Sequence, residues 1–209
     1  MKTTAVILAA VAASMASTAL SADRAGGVAE IDGDVFAVLD GAERMLEENG
    51  AVFSGDRIST REDANVLLRF LDETTLALGE DGEVTIDEFV FSPGAGGAFS
   101  ATMAKGVFRY LSGQIAARDP NQVDLTTPFG TIGVRGTHVL TRVGDGPDLI
   151  ILLEEDAPKR PPVIQVSNSG GAVVIDQPEF GTEIAGPGVA PTPPRRYNLR
   201  VITSLTRTL

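Results

Sequence analysis

The chain has 209 residues, 43% of them hydrophobic, enough to bury the core of one ordinary domain. It has no cysteine, which excludes a disulfide framework, a thiolate metal site, a thiol nucleophile and a lipid-modified cysteine. The net charge of −11 is uneven: all 28 acids, with 12 bases, lie between Asp23 and Glu183, whereas residues 184–209 hold four arginines and no acid. So acidic a body repels phosphate backbones, and no nucleic-acid partner is expected.

At the N-terminus, Lys2 precedes the apolar stretch Ala5 to Ala13 and then the small residues "SMASTALSA", which reads as a signal peptide over residues 1–22, cleaved between Ala19 and Ala22. Ser14, Ser17 and Thr18 interrupt the apolar run well short of the about 20 residues of a spanning helix. The next longest aliphatic run, Leu149 to Leu153, has five residues. The expectation is an exported, periplasmic protein whose mature chain has no transmembrane segment.

From there on, short runs alternate apolar and polar residues between glycines, the period of strands. In "ANVLLRFL", Ala64, Val66, Leu68 and Phe70 share a face; after "DE", Thr74, Leu76 and Leu78 repeat the pattern, so the two runs form a hairpin candidate. "EVTIDEFVF" slips phase across Asp87 and Glu88, which a bulge explains. Further strands are expected at Val28–Ile31, Val35–Leu39, Phe99–Met103, Val107–Leu111, Val123–Thr127, Val139–Val143, Leu149–Leu153, Val163–Val166 and Ala172–Ile175. "GEDG" (residues 79–82) and "SNSGG" (residues 167–171) are turns, the second closing a hairpin. "GAERMLEEN", residues 41–49, has too thin an apolar stripe for a helix and reads as a loop with a helical turn at most. "GPGVAPTPP" reads as a linker, because its prolines lack donors. The tail after it fits either a strand (Tyr197, Leu199, Val201) or a helical stripe (Val201, Ile202, Leu205, Leu209), and its Thr and Val content favours the strand.

The stretch "TTPFGTIGVRGTHVLTRV", residues 126–143, sets three glycines three residues apart in a β-rich run. It is no Walker loop, since Lys105 and Lys159 stand elsewhere, and no dinucleotide fingerprint, since no amphipathic helix follows. Glycines so placed suit sharp turns, positive φ or close backbone crossings. Ile132 and Val134 should point one way and Arg135 the other, where its guanidinium reads as an internal clamp rather than a ligand-binding group. His138, the sole histidine, should lie on the exposed face with Leu140 and Arg142, and no G-x-S-x-G accompanies it. The carboxylate clusters around residues 80–83, 87–88 and 154–156 lack a calcium-loop register and read as solvated turns. Without tryptophan, a stacking platform for sugars is weak. No catalytic residue, metal or cofactor is assigned.

"GDRIST", "ANVLLRFLDETTLAL", "GVFRYLSGQI" and "VDLTTPFGTIGVRGTHV", in this order and spacing over residues 28–143, resemble the FecR domain. The resemblance implies an all-β module of β-solenoid or β-roll type, with short strands and glycine turns. Thr127, Pro128, Gly130, Gly133, Arg135, Gly136 and Thr137 match the family's motif and would serve the fold and an interaction surface, with no catalytic residue to carry over. The resulting organisation is a FecR-type β domain at 23–145, a C-terminal β extension packed on it at 146–184, a Pro/Gly linker at 185–194 and a basic tail at 195–209. The iron-responsive regulators of this family place a sigma-binding segment and a transmembrane helix before the domain, whereas only a signal peptide is read here. The expected role is non-enzymatic: binding an envelope protein to pass on or scaffold a signal, with Arg195, Arg196, Arg200 and Arg207 of the tail as contact candidates and a weak anionic-surface contact as a side possibility. A structural or glycan-binding envelope protein stays open as the alternative.

Overall fold

The computed structural model describes residues 23–154 and 161–209. The signal peptide read over residues 1–22 and the acidic residues Glu155 and Asp156 lie outside them. In chain order the strands are β1 (Arg24–Asp32), β2 (Val35–Leu39), β3 (Ala42–Met45), β4 (Ala51–Phe53), β5 (Arg57–Thr60), β6 (Asn65–Phe70), β7 (Thr75–Leu78) and β8 (Glu83–Ser92). Then follow β9 (Gly96–Leu111), the short helix α1 (Gln114–Arg118), β10 (Val123–Thr126), β11 (Thr131–Arg135), β12 (His138–Val143), β13 (Asp148–Leu153) and β14 (Val163–Asn168). The chain closes with β15 (Gly171–Ile175), β16 (Phe180–Ile184), β17 (Arg195–Arg196) and helix α2 (Leu199–Thr206).

These strands make two sheets that share β9. Sheet A runs β4-β1-β6-β7-β9-β12-β13-β16-β17. Sheet B runs β3-β2-β5-β8-β9-β10-β11-β14-β15. The all-β expectation holds. The chain alternates between the sheets while advancing along both, yet its pairings are antiparallel except β9 with β10, so the pairing does not show the parallel coil-on-coil stacking of a solenoid.

The two strands expected at Phe99–Met103 and Val107–Leu111 are one bent strand. β9 starts in sheet B beside β8 and ends in sheet A between β7 and β12. Gly106 (φ +112°) marks the crossing, and a Cβ there would lie 2.7 Å from Gly82 Cα. The inward phase changes at the bend, from Phe99, Ala101 and Met103 to Phe108 and Tyr110. Inward side chains of both sheets meet in one core. Its centre is aromatic: Phe70 of sheet A meets Phe99 of sheet B edge-on with centroids 4.9 Å apart, and Phe99 stacks on Tyr110 at 5.9 Å.

The β6–β7 hairpin forms in register, Val66 opposite Leu78 and Leu68 opposite Leu76, and the "SNSGG" hairpin joins β14 to β15. The bulge is there too, with the β8–β9 register shifting between Ile86 and Glu88. The segment 41–49 differs from expectation: Ala42–Met45 is a strand, paired to β2 around a turn in which Asp40 and Gly41 both take positive φ (51° and 81°). β16 was not expected, because the polar Thr182 stands between Phe180 and Ile184 in its core-facing row.

Past β16 the chain doubles back. Residues 185–194 return beside the strand they left: Thr182 Oγ1 donates to Thr192 O at 2.7 Å and Asn168 Nδ2 donates to Val189 O at 2.7 Å. The tail favoured as a strand is largely helix. Asn198 caps α2 by accepting from the Val201 amide at 3.1 Å, and Ile202, Leu205 and Leu209 pack as a stripe on the outer face of sheet A. That stripe wins over the weak strand preference of Thr and Val because it has apolar surface to cover: Leu140, Leu149, Ile151 and Leu153 form a second cluster outside the sandwich.

Candidate functional site

β10, β11 and β12 carry the glycine-spaced stretch, and each motif residue can be followed to its surroundings. Thr127, Pro128, Phe129 and Gly130 form the turn between β10 and β11. The Thr127 amide donates to Gly130 O at 2.8 Å, and the Gly130 amide donates back to Thr127 Oγ1 at 3.1 Å. Pro128 sits exposed at the turn, where no donor is needed. The Phe129 amide donates to Asp148 Oδ2 at 3.2 Å, and Asn168 Nδ2 donates to Phe129 O at 3.0 Å. Gly130 lies against β14, where a Cβ would come within 2.9 Å of Ser167 O.

Asp148, which ties down this turn, is fully buried, and its Oδ1 has no partner among the described residues. Burial raises its carboxyl above the usual carboxylate value, while the Thr127 hydroxyl and the Phe129 amide work in the other direction.

At the far end of β11 the chain passes from sheet B to sheet A. Gly136, at φ +58°, makes the passage in a left-handed conformation that a side chain would strain. Thr137 is fully buried; its amide donates to Ser112 Oγ at 2.7 Å and its carbonyl accepts from the Ser112 amide at 3.2 Å. This reciprocal clip ties the motif to the end of β9.

Gly133 and Arg135 behave differently from these five. At Gly133 a Cβ would meet nothing nearer than Gln165 O at 3.9 Å, and φ is not positive, so the fold does not require glycine there. Ile132 and Val134 point into the core as expected and Arg135 points out, but the clamp is not formed: the Arg135 side chain is exposed and makes no hydrogen bond or ion pair among the described residues. Gly133 and Arg135, with Asp124, Thr131 and Gln165, line a polar groove of about 230 Å³ on the outer face of sheet B. A short 3-10 turn at Pro120–Gln122 walls one side of it. The arrangement offers hydrogen-bond donors and acceptors of both charges on a rigid sheet.

The arginines of the tail divide in the same manner. Arg195 Nη2 pairs with Glu183 Oε1 at 2.6 Å and its Nε donates to the Tyr197 hydroxyl at 3.1 Å, and Arg196 pairs with Glu179 Oε2 at 2.5 Å. These two fasten β17 to β16. Arg200 on α2 and Arg207 just past its end stand exposed without an ion pair among the described residues. His138 is on the outer face of sheet A, as expected, but half-buried, and its neighbour Leu140 is buried beneath α2 rather than exposed. Burial and then the nearby Arg109 charge lower its pKa, so the ring is neutral at pH 7. Among the described residues no three His, Asp or Glu side chains come together as a metal site would need.

Sequence reasoning missed three buried carboxylates that fasten the fold: Asp148, Asp56 and Asp72. Asp56 accepts two bonds from Arg44 at 2.7 and 2.5 Å and one from the Phe53 amide at 2.8 Å. Asp72 accepts from the Thr74 amide, the Thr74 hydroxyl and the Ile115 amide, pinning α1 to the β6–β7 turn. An acid flanked by strand residues and followed two residues on by threonine, as in Asp72–Glu73–Thr74, was the available signal for the last.

Comparison with known proteins agrees with the geometry. A solved structure from Parabacteroides distasonis, provisionally named as an anti-sigma factor, aligns with a TM-score of 0.55 and 11% identity over 71% of this chain. The alignment takes in 63% of that chain, less than two thirds of its length, and at such identity it speaks for a shared fold alone. No curated protein matches the sequence. The sequence model of the family described as FecR protein matches residues 56–157, from the buried Asp56 to just past β13 and with the whole glycine-spaced stretch inside it. By that match, residues 56–157 of this chain are a FecR domain.

Proposed function

We propose that this is an exported, periplasmic and non-enzymatic FecR-domain protein that acts by binding another protein of the cell envelope, relaying or scaffolding a signal. The observation that carries the reading is the division within the family's motif. Five of its residues build turns and a clip, while Gly133 and Arg135 leave a polar groove open on a rigid sheet without a fold requirement for either. The fold shared with a protein provisionally named as an anti-sigma factor supports a signalling role. Export rests on the leader read at residues 1–22.

The test is photo-crosslinking in intact cells from a reactive residue placed at Gln165, at the groove. A defined protein adduct that disappears in Arg135→Glu, with the variant still folded by circular dichroism, is the expected result. An adduct pattern indifferent to Arg135→Glu removes the groove from the account, and recovery of unprocessed chain in the cytoplasmic fraction removes the location.

A further inference from the structure

The four sheet edges are not protected alike. Sheet A ends in β4 and β17, and sheet B in β3 and β15. β4 has three residues, β17 is the pair Arg195–Arg196, and β3 carries Glu43 and Arg44; short length and charge are common guards against pairing with another chain. β15 has neither guard: its five residues carry no charge and no proline, and Val174 is 55% exposed. Among the described residues, no backbone hydrogen bond reaches β15 from any element but β14.

The register of the β14–β15 hairpin decides which groups face that edge. Its loop is Ser169–Gly170, so Asn168 and Gly171 are a hydrogen-bonded pair, and by alternation Val173 and Ile175 also bond to β14. The amides and carbonyls of Ala172 and Val174 therefore point to the free edge. The strand is held ready for pairing, because Asn168 Nδ2 donates to Phe129 O at 3.0 Å and to Val189 O at 2.7 Å and so fixes the hairpin end.

We propose that this edge pairs with β15 of a second copy, antiparallel about a two-fold axis at Val173, joining the two B sheets into one. An identical strand fits the edge on three counts. Ala172 then lies opposite Val174 of the copy, and Val174 opposite its Ala172, so that each pair exchanges both backbone bonds and uses every outward group of the two residues. On the outer face the exposed Val174 packs on Ala172 of the copy. Finally, residues 161–175 carry no charge, and Asp176, the next residue, falls opposite Gly170 rather than an acid; two bodies that are acidic elsewhere meet where neither is charged. Strands this short bury less than the about 1,200 Å² of a stable interface, so the dissociation constant should be on the order of tens of micromolar. The axis stands perpendicular to the sheet, which sets both polar grooves on one face with their β14 strands about 14 Å apart. A partner reading one groove then meets the second, a consequence that rests on the groove being the binding site.

The test is sedimentation velocity of the purified full chain between about 1 and 500 μM. A concentration-dependent shift from monomer to dimer is expected, lost in Val174→Lys and in Ala172→Pro, with the circular dichroism of both variants unchanged; the proline deletes an amide that only the free edge uses. Since the chain has no cysteine, disulfide trapping reads the register: Ala172→Cys mixed with Val174→Cys should give several-fold more covalent dimer than either variant alone. A monomer throughout, or a dimer indifferent to both edge substitutions, overturns the proposal, and equal trapping in a single variant overturns the axis at Val173. A monomer that forms an adduct with a different protein from a photoreactive residue at position 174 gives the edge to a foreign strand and overturns the second copy. A dimer as expected, with no adduct from Gln165 in cells, would instead sink the partner reading of the groove and leave the pairing standing.

Discussion

The outer faces of the two sheets meet different surroundings. On sheet B, β14 keeps strict alternation: Ile164 and Val166 are buried and Gln165 between them is exposed, beside the polar groove. On sheet A, β13 has no exposed position, and its outer leucines and isoleucine need a helix from about fifty residues further along the chain. A strand apolar at every position announces a second cover, and that cover is encoded elsewhere. The groove is open by construction, whereas the other face is closed by α2.

The largest effect should separate the two faces directly. Ile151→Glu buries a charge under α2 and should cost about 3 kcal/mol in chemical denaturation, whereas Gln165→Glu on the open face should stay within about 0.5 kcal/mol. Comparable losses would erase the distinction. Next comes Asp56→Ala, which strands Arg44 and the Phe53 amide and should cost about 2 to 3 kcal/mol, since Arg44 remains partly in solvent. Asn198→Ala removes the cap of α2 and should weaken the helix by about 1 kcal/mol. Hydrogen exchange should report that loss at residues 199–206 and along β13, with sheet B unchanged.

A smaller and pH-dependent effect concerns the motif turn. The Asp148 carboxyl is raised in the folded state, so its contribution to stability is full below its ordinary value of 3.8 and fades as pH rises through the folded value. Asp148→Asn keeps an acceptor for the Phe129 amide and removes the charge, so the variant should gain on the wild type as pH rises above 3.8. A pH-independent difference in denaturation midpoints would show that the carboxylate is not what titrates. Smallest of all, Gly133→Ala should leave stability within about 0.5 kcal/mol while altering whatever occupies the groove.

Much of this was legible in the sequence. The period-2 runs located most strands, the phase slip at Asp87 located a bulge, and the stretch from Thr127 to Thr137 located turns whose glycines at 130 and 136 are required by close approach and by φ. What stayed hidden was of two kinds. Ala42–Met45 is a strand because Asp40 and Gly41 turn it back onto β2, a local signal that its thin apolar stripe obscured, whereas the tail is a helix because Leu149, Ile151 and Leu153, distant in sequence, await it. Leu149–Leu153 stands out in the sequence as an aliphatic run, but the run by itself does not reveal that both of its faces are covered. The groove was invisible because Gly133 looks like its neighbours until one asks what its absent Cβ would touch.

β9 ties the halves of the molecule into a single mechanical unit. Because one sixteen-residue strand is central to both sheets, loss of either sheet removes the pairing partner of the other along the same strand, which favours joint unfolding. Under load or denaturant the protein should therefore hold as a whole until β9 gives way, and then lose everything in a single step.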